Sequence, residues 1–203
     1  MRGCLPPAPK QIRETVMTAL ADTSARPSNY DSVAKLIHWT MALAIPTDWF
    51  LAVIRENFPQ DVRASFMFWH KSIGLLIVAL LVIRVLWRLT HAAPDHEKTP
   101  WEPWAGRAAT AGHGLLYLLM IMVPIGGIMA SFASARALPF FGLFEIVGPW
   151  AVKQPFAKQI GEMHELFAHL LLAVAFAHAV VGIFHHVVLK DRTLMKMRPF
   201  ARD

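Results

Sequence analysis

Four stretches of this chain, 33–54, 66–89, 109–132 and 163–189, are apolar over the length needed to cross a bilayer. A helix needs roughly 20 such residues to span about 30 Å of hydrocarbon. No other feature limits the fold as much. It predicts an all-α integral membrane protein built as a four-helix transmembrane bundle. Composition agrees, with 55% of residues hydrophobic and 17% charged, against about 25% charged in ordinary soluble domains. A length of 203 residues holds one small bundle and leaves no room for a second domain of normal size.

The bundle domain is expected over 31–199. The segment 1–30 is polar and proline-rich and lacks the apolar core of a secretory signal. It reads as a disordered cytoplasmic tail, and Met17 is a plausible alternative start. The stretch 91–107 is polar and carries Pro94, Pro100 and Pro103, so it reads as a loop. The stretch 133–161, with three prolines and several aromatics, reads as an interfacial connection. The net charge of +6 points to anionic lipid rather than nucleic acid as a partner. A single cysteine, Cys4, excludes an intrachain disulfide and iron–sulfur binding. The motif C-x-x-C-H is absent, so any haem is held non-covalently.

Lysine and arginine set the expected orientation. The tail, the second connection and the C-terminal end together hold fourteen, and the other two connections hold six. Both termini are therefore expected on the cytoplasmic side of a bacterial inner membrane. That orientation gives each histidine a depth. His164 and His178 share the fourth stretch, fourteen residues apart. Fourteen residues are close to four helical turns, so both rings face one way about 21 Å apart along the axis. His70 falls at the outer level with His164, and His38 at the inner level with His178. Two bis-histidine pairs at two depths point to two stacked metal or haem positions. Such ligation leaves iron without an open coordination position, which suits electron transfer. A zinc or copper site would gather its ligands at one depth. Histidines satisfied inside the bundle as ordinary polar residues are the remaining reading.

The motifs add a resemblance. The first stretch carries K-L-I-H-W, and the second carries W-H-K-S-I-G and ends in R-V-L-W-R-L. The third carries G-H-G-L-L-Y followed by V-P-I-G-G. The fourth carries M-H-E, His178 and the His185–His186 doublet, and the tail reads K-D-R-T-L-M-K-M-R-P. From about Asp31 to Pro199 the chain resembles the bacterial four-helix cytochrome b561 proteins. More loosely, it resembles the cytochrome b subunits of membrane hydrogenases and formate dehydrogenases. The resemblance implies two haem b groups held by the pairs above, with ubiquinone exchange near the inner one. One branch of the family oxidises superoxide outside the membrane and passes the electron to ubiquinone. Other members take electrons from a protein donor.

Several residues can support that chemistry. Arg84 is expected to meet an inner-haem propionate, and Arg88 to anchor the interface. His185 continues the stripe of His164 and His178 and is the expected quinone contact, whereas His186 points away. His113 is a second quinone candidate or an alternative inner ligand. Lys71, with Lys153 and Lys158, could form a positive collar that attracts an anion such as superoxide, or could be three ordinary interfacial lysines. Asp48, beyond Pro46, departs from the family pattern. It reads as a snorkelling interfacial carboxylate or as a contact beside the outer haem. Gly74, Gly112 and Gly114 allow close approach of a helix or of a flat macrocycle.

Overall fold

The computed structural model describes residues 9–14 and 27–198. Residues 10–14 are helical and exposed. The rest of the expected tail before Pro27, including Met17, lies outside the described residues.

The four expected spans are four helices: α1 (Ser32–Ile54), α2 (Gln60–Thr90), α3 (Trp104–Ala133) and α4 (Ala157–Phe184). All are long and apolar enough to cross a membrane. The shortest, α1, has 23 residues, a length of about 35 Å at helical rise. The α2, α3 and α4 helices each begin five or six residues before their apolar stretch. A polar first turn costs nothing where it stands outside hydrocarbon.

Local chemistry sets the ends. Asp31 caps α1, its Oδ1 accepting from the Ala34 N–H at 2.9 Å. Burial pushes the Asp31 carboxyl up, but its bonds from Ala34, the Trp87 indole and Val33 outweigh that and hold it below its ordinary value. The α2 helix starts after Pro59, with Asp61 in its first turn and Arg88 in its last. Both charges complement the helix dipole. The last span passes from α4 into a single π-helical turn, His185–Leu189, closed by Lys190 in the left-handed region (φ 54°).

Packing is uneven. The α1 helix lies along α2 and α3 lies along α4, whereas the two pairs touch only sparsely. A small core of Ile37, Met41, Ile77 and Leu81 joins α1 to α2. The gap between the pairs is bridged at two heights by histidine rings.

One element was not expected. The connection 133–161 contains an antiparallel hairpin, β1 (Leu138–Phe140) with β2 (Phe144–Ile146). Phe141 and Gly142 both have positive φ (50° and 75°), and the Leu143 N–H donates to the Phe140 carbonyl at 2.9 Å. This is a type I′ turn. A phenylalanine at positive φ is strained, and α2 holds it there. Ser72, fully buried, accepts from the Phe141 N–H and donates to the Pro139 carbonyl, both at 3.1 Å.

The opposite end is tied by the tail. The Trp39 indole donates to the Met197 carbonyl at 2.7 Å, and Lys196 Nζ meets Glu97 at 2.7 Å. The bundle thus has a hairpin end and a terminal end.

Candidate metal centres

The hairpin level pairs His70 of α2 with His164 of α4, their ring centres 6.1 Å apart. The terminal level pairs His38 of α1 with His178 of α4 at 6.4 Å. Two imidazoles on opposite sides of one iron atom need a centre-to-centre separation of about 6 Å, from two metal–nitrogen bonds of about 2 Å and the distance from each ring centre to its own nitrogen. Both pairs meet that requirement. His113 of α3 also borders the terminal level, but its ring centre is 5.1 Å from His178. That is too close to hold an atom between them on a common axis. Among the described residues, no three or more His, Cys, Asp or Glu gather as a metal site; the four histidines stand as pairs at two levels.

The hairpin level is organised by what holds the outward nitrogens. His164 Nδ1 donates to the Val123 carbonyl at 2.8 Å. His70 Nδ1 donates to the Asp48 carbonyl at 3.2 Å. The donor role is assigned from these acceptors. With the proton on Nδ1, each Nε2 keeps its lone pair for a metal, the arrangement common behind metal-bound histidine. Both acceptors lie within two residues of a helix-interior proline, Pro46 in α1 or Pro124 in α3. Proline removes a backbone hydrogen bond and bends the helix there.

Asp48 does not snorkel to the interface. It is 9% exposed, and its Oδ1 lies 3.1 Å from His70 Nδ1. The oxygen sits off the N–H direction, so the contact is close but is not a formed hydrogen bond, and no other described group donates to it.

Glycine makes room for the other ligand. A Cβ on Gly127 would stand 2.9 Å from His164 Cε1, and one on Gly126 would stand 3.4 Å from His164 Cβ. At Gly127 an added methyl would force the His164 ring or the helix to shift, whereas at Gly126 it would make an ordinary contact. Gly112 and Gly114 would meet nothing within 4 Å. They do not serve helix packing.

At the terminal level the charge has the opposite sign. An Arg84 guanidinium nitrogen stands 3.4 Å from His38 Nδ1, and the group lies 5.9 Å from the Tyr117 ring centre. His113 Nδ1 donates to the Ala109 carbonyl at 2.7 Å. Arg88 reaches the His91 carbonyl in an exposed position.

His185 opens the π turn and is only partly exposed, whereas His186 is exposed. Asp191 Oδ2 lies 2.6 Å from His185 Nδ1. Burial pushes the Asp191 carboxyl up, but hydrogen bonds from Thr193 and His185 outweigh it and hold it below its ordinary value. Lys71 is half-buried and donates to the Ala137 carbonyl at 2.9 Å, which ties it to the hairpin. Lys158 meets Glu162 at 3.6 Å on the exposed surface. Two of the three collar lysines therefore already have partners.

Three contributors have no role in the sequence reading. A fourth, Asp48, is read there first as an interfacial carboxylate and second as a contact beside the outer haem. Gly127 stood in a quoted motif without a role. Asp191 was only part of a tail, and Ser72 had no reason to stand out. Asp48 was noticed for its oddity and given the wrong leading position. The signal available for Asp48 was a carboxylate two residues after a helix-interior proline, ten residues beyond a candidate ligand.

The comparisons with known proteins place most of the chain in a family. Residues 29–200 match the family model described as prokaryotic cytochrome b561. Cytochrome b561 homolog 2 of Escherichia coli K12 is 30% identical over 173 residues, 84% of this chain and 92% of the relative. The probable superoxide oxidase CybB of Yersinia pestis is 32% identical over 168 residues, 82% of this chain and 93% of the relative. Cytochrome b562 of Cereibacter sphaeroides is 26% identical over 174 residues, 83% and 94% of the two chains. With four apolar helices and two facing imidazole pairs, the chain belongs to the prokaryotic cytochrome b561 family, membrane-embedded electron-transfer proteins that bind haem b.

Proposed function

We propose that this chain carries electrons between the outer face of a bacterial inner membrane and the quinone pool through two haem b groups, acting as a superoxide:ubiquinone oxidoreductase. The observation that carries it is the presence of two ring pairs, each at a separation that fits one iron. His70 and His164 hold one group near the hairpin, taken as the outer face. His38 and His178 hold the other near the termini, taken as cytoplasmic on the lysine and arginine balance. A haem ligated by two histidines supplies one-electron exchange with no open position for oxygen chemistry.

The remaining roles belong to the chain's own side chains. A His38 bound through Nε2 carries its proton on Nδ1, and a guanidinium can only donate. Loading that level therefore releases Arg84 from His38, and it becomes available to a propionate. His113 lines the same level with one ring nitrogen uncommitted. Asp191 accepts the His185 ring proton and fixes the ring. Nε2 is left for a second hydrogen bond, to a quinone or quinol oxygen. The π turn that presents His185 is a rare backbone feature, often found where a helix is adapted for function. Lys71 steadies the hairpin beside His70.

The superoxide donor is supported by the name of the Yersinia pestis relative. The test uses purified protein in liposomes containing ubiquinone. A superoxide flux is expected to reduce the haems rapidly and quinone to reoxidise them. Slow reduction, with rapid reduction by a small protein donor instead, would replace this reading with that of a cytochrome b relay subunit.

A further inference from the structure

Both histidine levels present two rings to one gap, but different charges stand behind them. We propose that Asp48 is a positioning residue that holds His70 through its ring N–H and keeps the hairpin-level haem below the terminal-level haem in reduction potential. Electrons entering at the hairpin end then run downhill toward the termini. The proposal rests on the two-haem reading above.

Asp48 is buried in α1 and faces α2. Its carbonyl and Oδ1 lie 3.2 and 3.1 Å from the same nitrogen of His70. Its Oδ2 would be 3.7 Å from a Cβ placed on Gly74, so the carboxylate is seated against α2 and is not turned toward lipid. A buried carboxylate is costly without partners, and no described group donates to Oδ1. The His70 N–H is the polar hydrogen beside it.

Two effects of this placement have the same sign. A negative group next to a ligand ring favours the more positive, oxidised iron, and weakly screened surroundings enlarge the effect. The Asp48 carbonyl, which accepts the ring N–H, makes the imidazole a stronger ligand; this also favours the oxidised state and is kept in Asp48→Asn. At the terminal level the charged group beside the His38 ring is the Arg84 guanidinium, which is always cationic. Even when it pairs with a propionate it adds no negative charge behind the ring, so this level lacks the bias toward oxidised iron. The step these charges bias moves one electron: one iron is oxidised, the other is reduced, and no bond forms or breaks.

The experiment is a spectroelectrochemical titration of the purified full-length protein with its haems. The wild type is expected to give two one-electron waves, and His70→Ala to lose the lower one. Asp48→Asn is expected to raise the lower wave about tenfold in reduced-to-oxidised ratio at fixed potential, about 59 mV for one electron. The upper wave should stay in place. Asp48→Glu should return the lower wave toward the wild-type position. An unmoved lower wave, equal movement of both waves, or loss of the upper wave in His70→Ala would overturn the proposal. If Asp48→Asn fails to retain the hairpin-level haem, Asp48→Glu decides. A low wave retained there supports the proposal, and haem loss in both variants overturns it in favour of a purely structural role. A single haem in the wild type would instead bring down the two-haem reading, and that result is seen before any substitution is made.

Discussion

At the hairpin level both ligand rings give their outward protons to oxygen. His164 donates to the Val123 carbonyl, and His70 donates to Asp48 beside its carboxylate. At the terminal level His38 faces a guanidinium, and a third histidine, His113, crowds the pair. The hairpin level is closed in by Gly126 and Gly127 against the His164 ring. The terminal level is bordered by Gly112 and Gly114, where an added Cβ would meet nothing within 4 Å, and by the Arg84–Tyr117 contact. The first arrangement fixes ligand geometry before any group binds. The second has side chains to spare for propionates and for exchange with a mobile partner. Similar pairs of rings on one scaffold thus differ in how tightly their surroundings hold them, a difference that matches the fixed entry and adaptable exit proposed above.

The largest effects should come from the ligands themselves. His70→Ala and His164→Ala are each expected to remove the same haem, and His38→Ala and His178→Ala the other, with each loss followed by visible spectroscopy. His113→Ala should retain both. Loss of the terminal-level haem in His113→Ala, with His38→Ala unaffected, would reverse that pairing.

Gly127→Ala comes next. The added methyl would stand 2.9 Å from His164 Cε1, so ring or helix must shift. Haem occupancy at the hairpin level should fall by half or more, while Gly112→Ala, in open space, should match the wild type. Equal behaviour of the two variants would show that tight seating is not what separates the levels.

His185→Ala tests the exit. Reoxidation by a ubiquinone analogue should slow severalfold while both haem bands stay normal. Haem loss in this variant would make His185 structural.

The smallest effect concerns the tie at the terminal end. The Asp31 carboxylate accepts from Ala34 N–H and from the Trp87 indole at 3.0 and 3.1 Å. Asp31→Ala should cost about 1 kcal/mol, as lost helix caps typically do. Because folding lowers the Asp31 pKa, its contribution is present above an unfolded value of about 3.9. It is lost as pH falls through the folded one. The gap in thermal stability between wild type and Asp31→Ala should therefore narrow below about pH 4.

Much of this was legible in the sequence for physical reasons. Hydrocarbon thickness makes span length a direct signal, and helical periodicity put His164 and His178 on one face. The balance of positive charge puts His70 at the depth of His164 and His38 at the depth of His178 without knowledge of any contact. The rest depended on contacts between distant residues. Nothing local shows that Gly127 lies under His164, or that the Lys71 amine reaches Ala137 and Ser72 supports Phe141. Nothing local shows Asp191 turning back onto His185. The hairpin in 133–161 escaped because its turn places phenylalanine, rather than asparagine or aspartate, in a left-handed position. Asp48 was misplaced because helical rise gives depth along the axis but not the direction in which a side chain points.

The central claim is that each ring pair holds its own haem. Its most direct test is the haem-to-polypeptide ratio of the purified wild-type chain, with pigment extracted by acidic acetone and protein measured by amino-acid analysis. Two extractable haem b groups per chain is the predicted result. One haem per chain, or pigment that stays covalently attached after extraction, would contradict it.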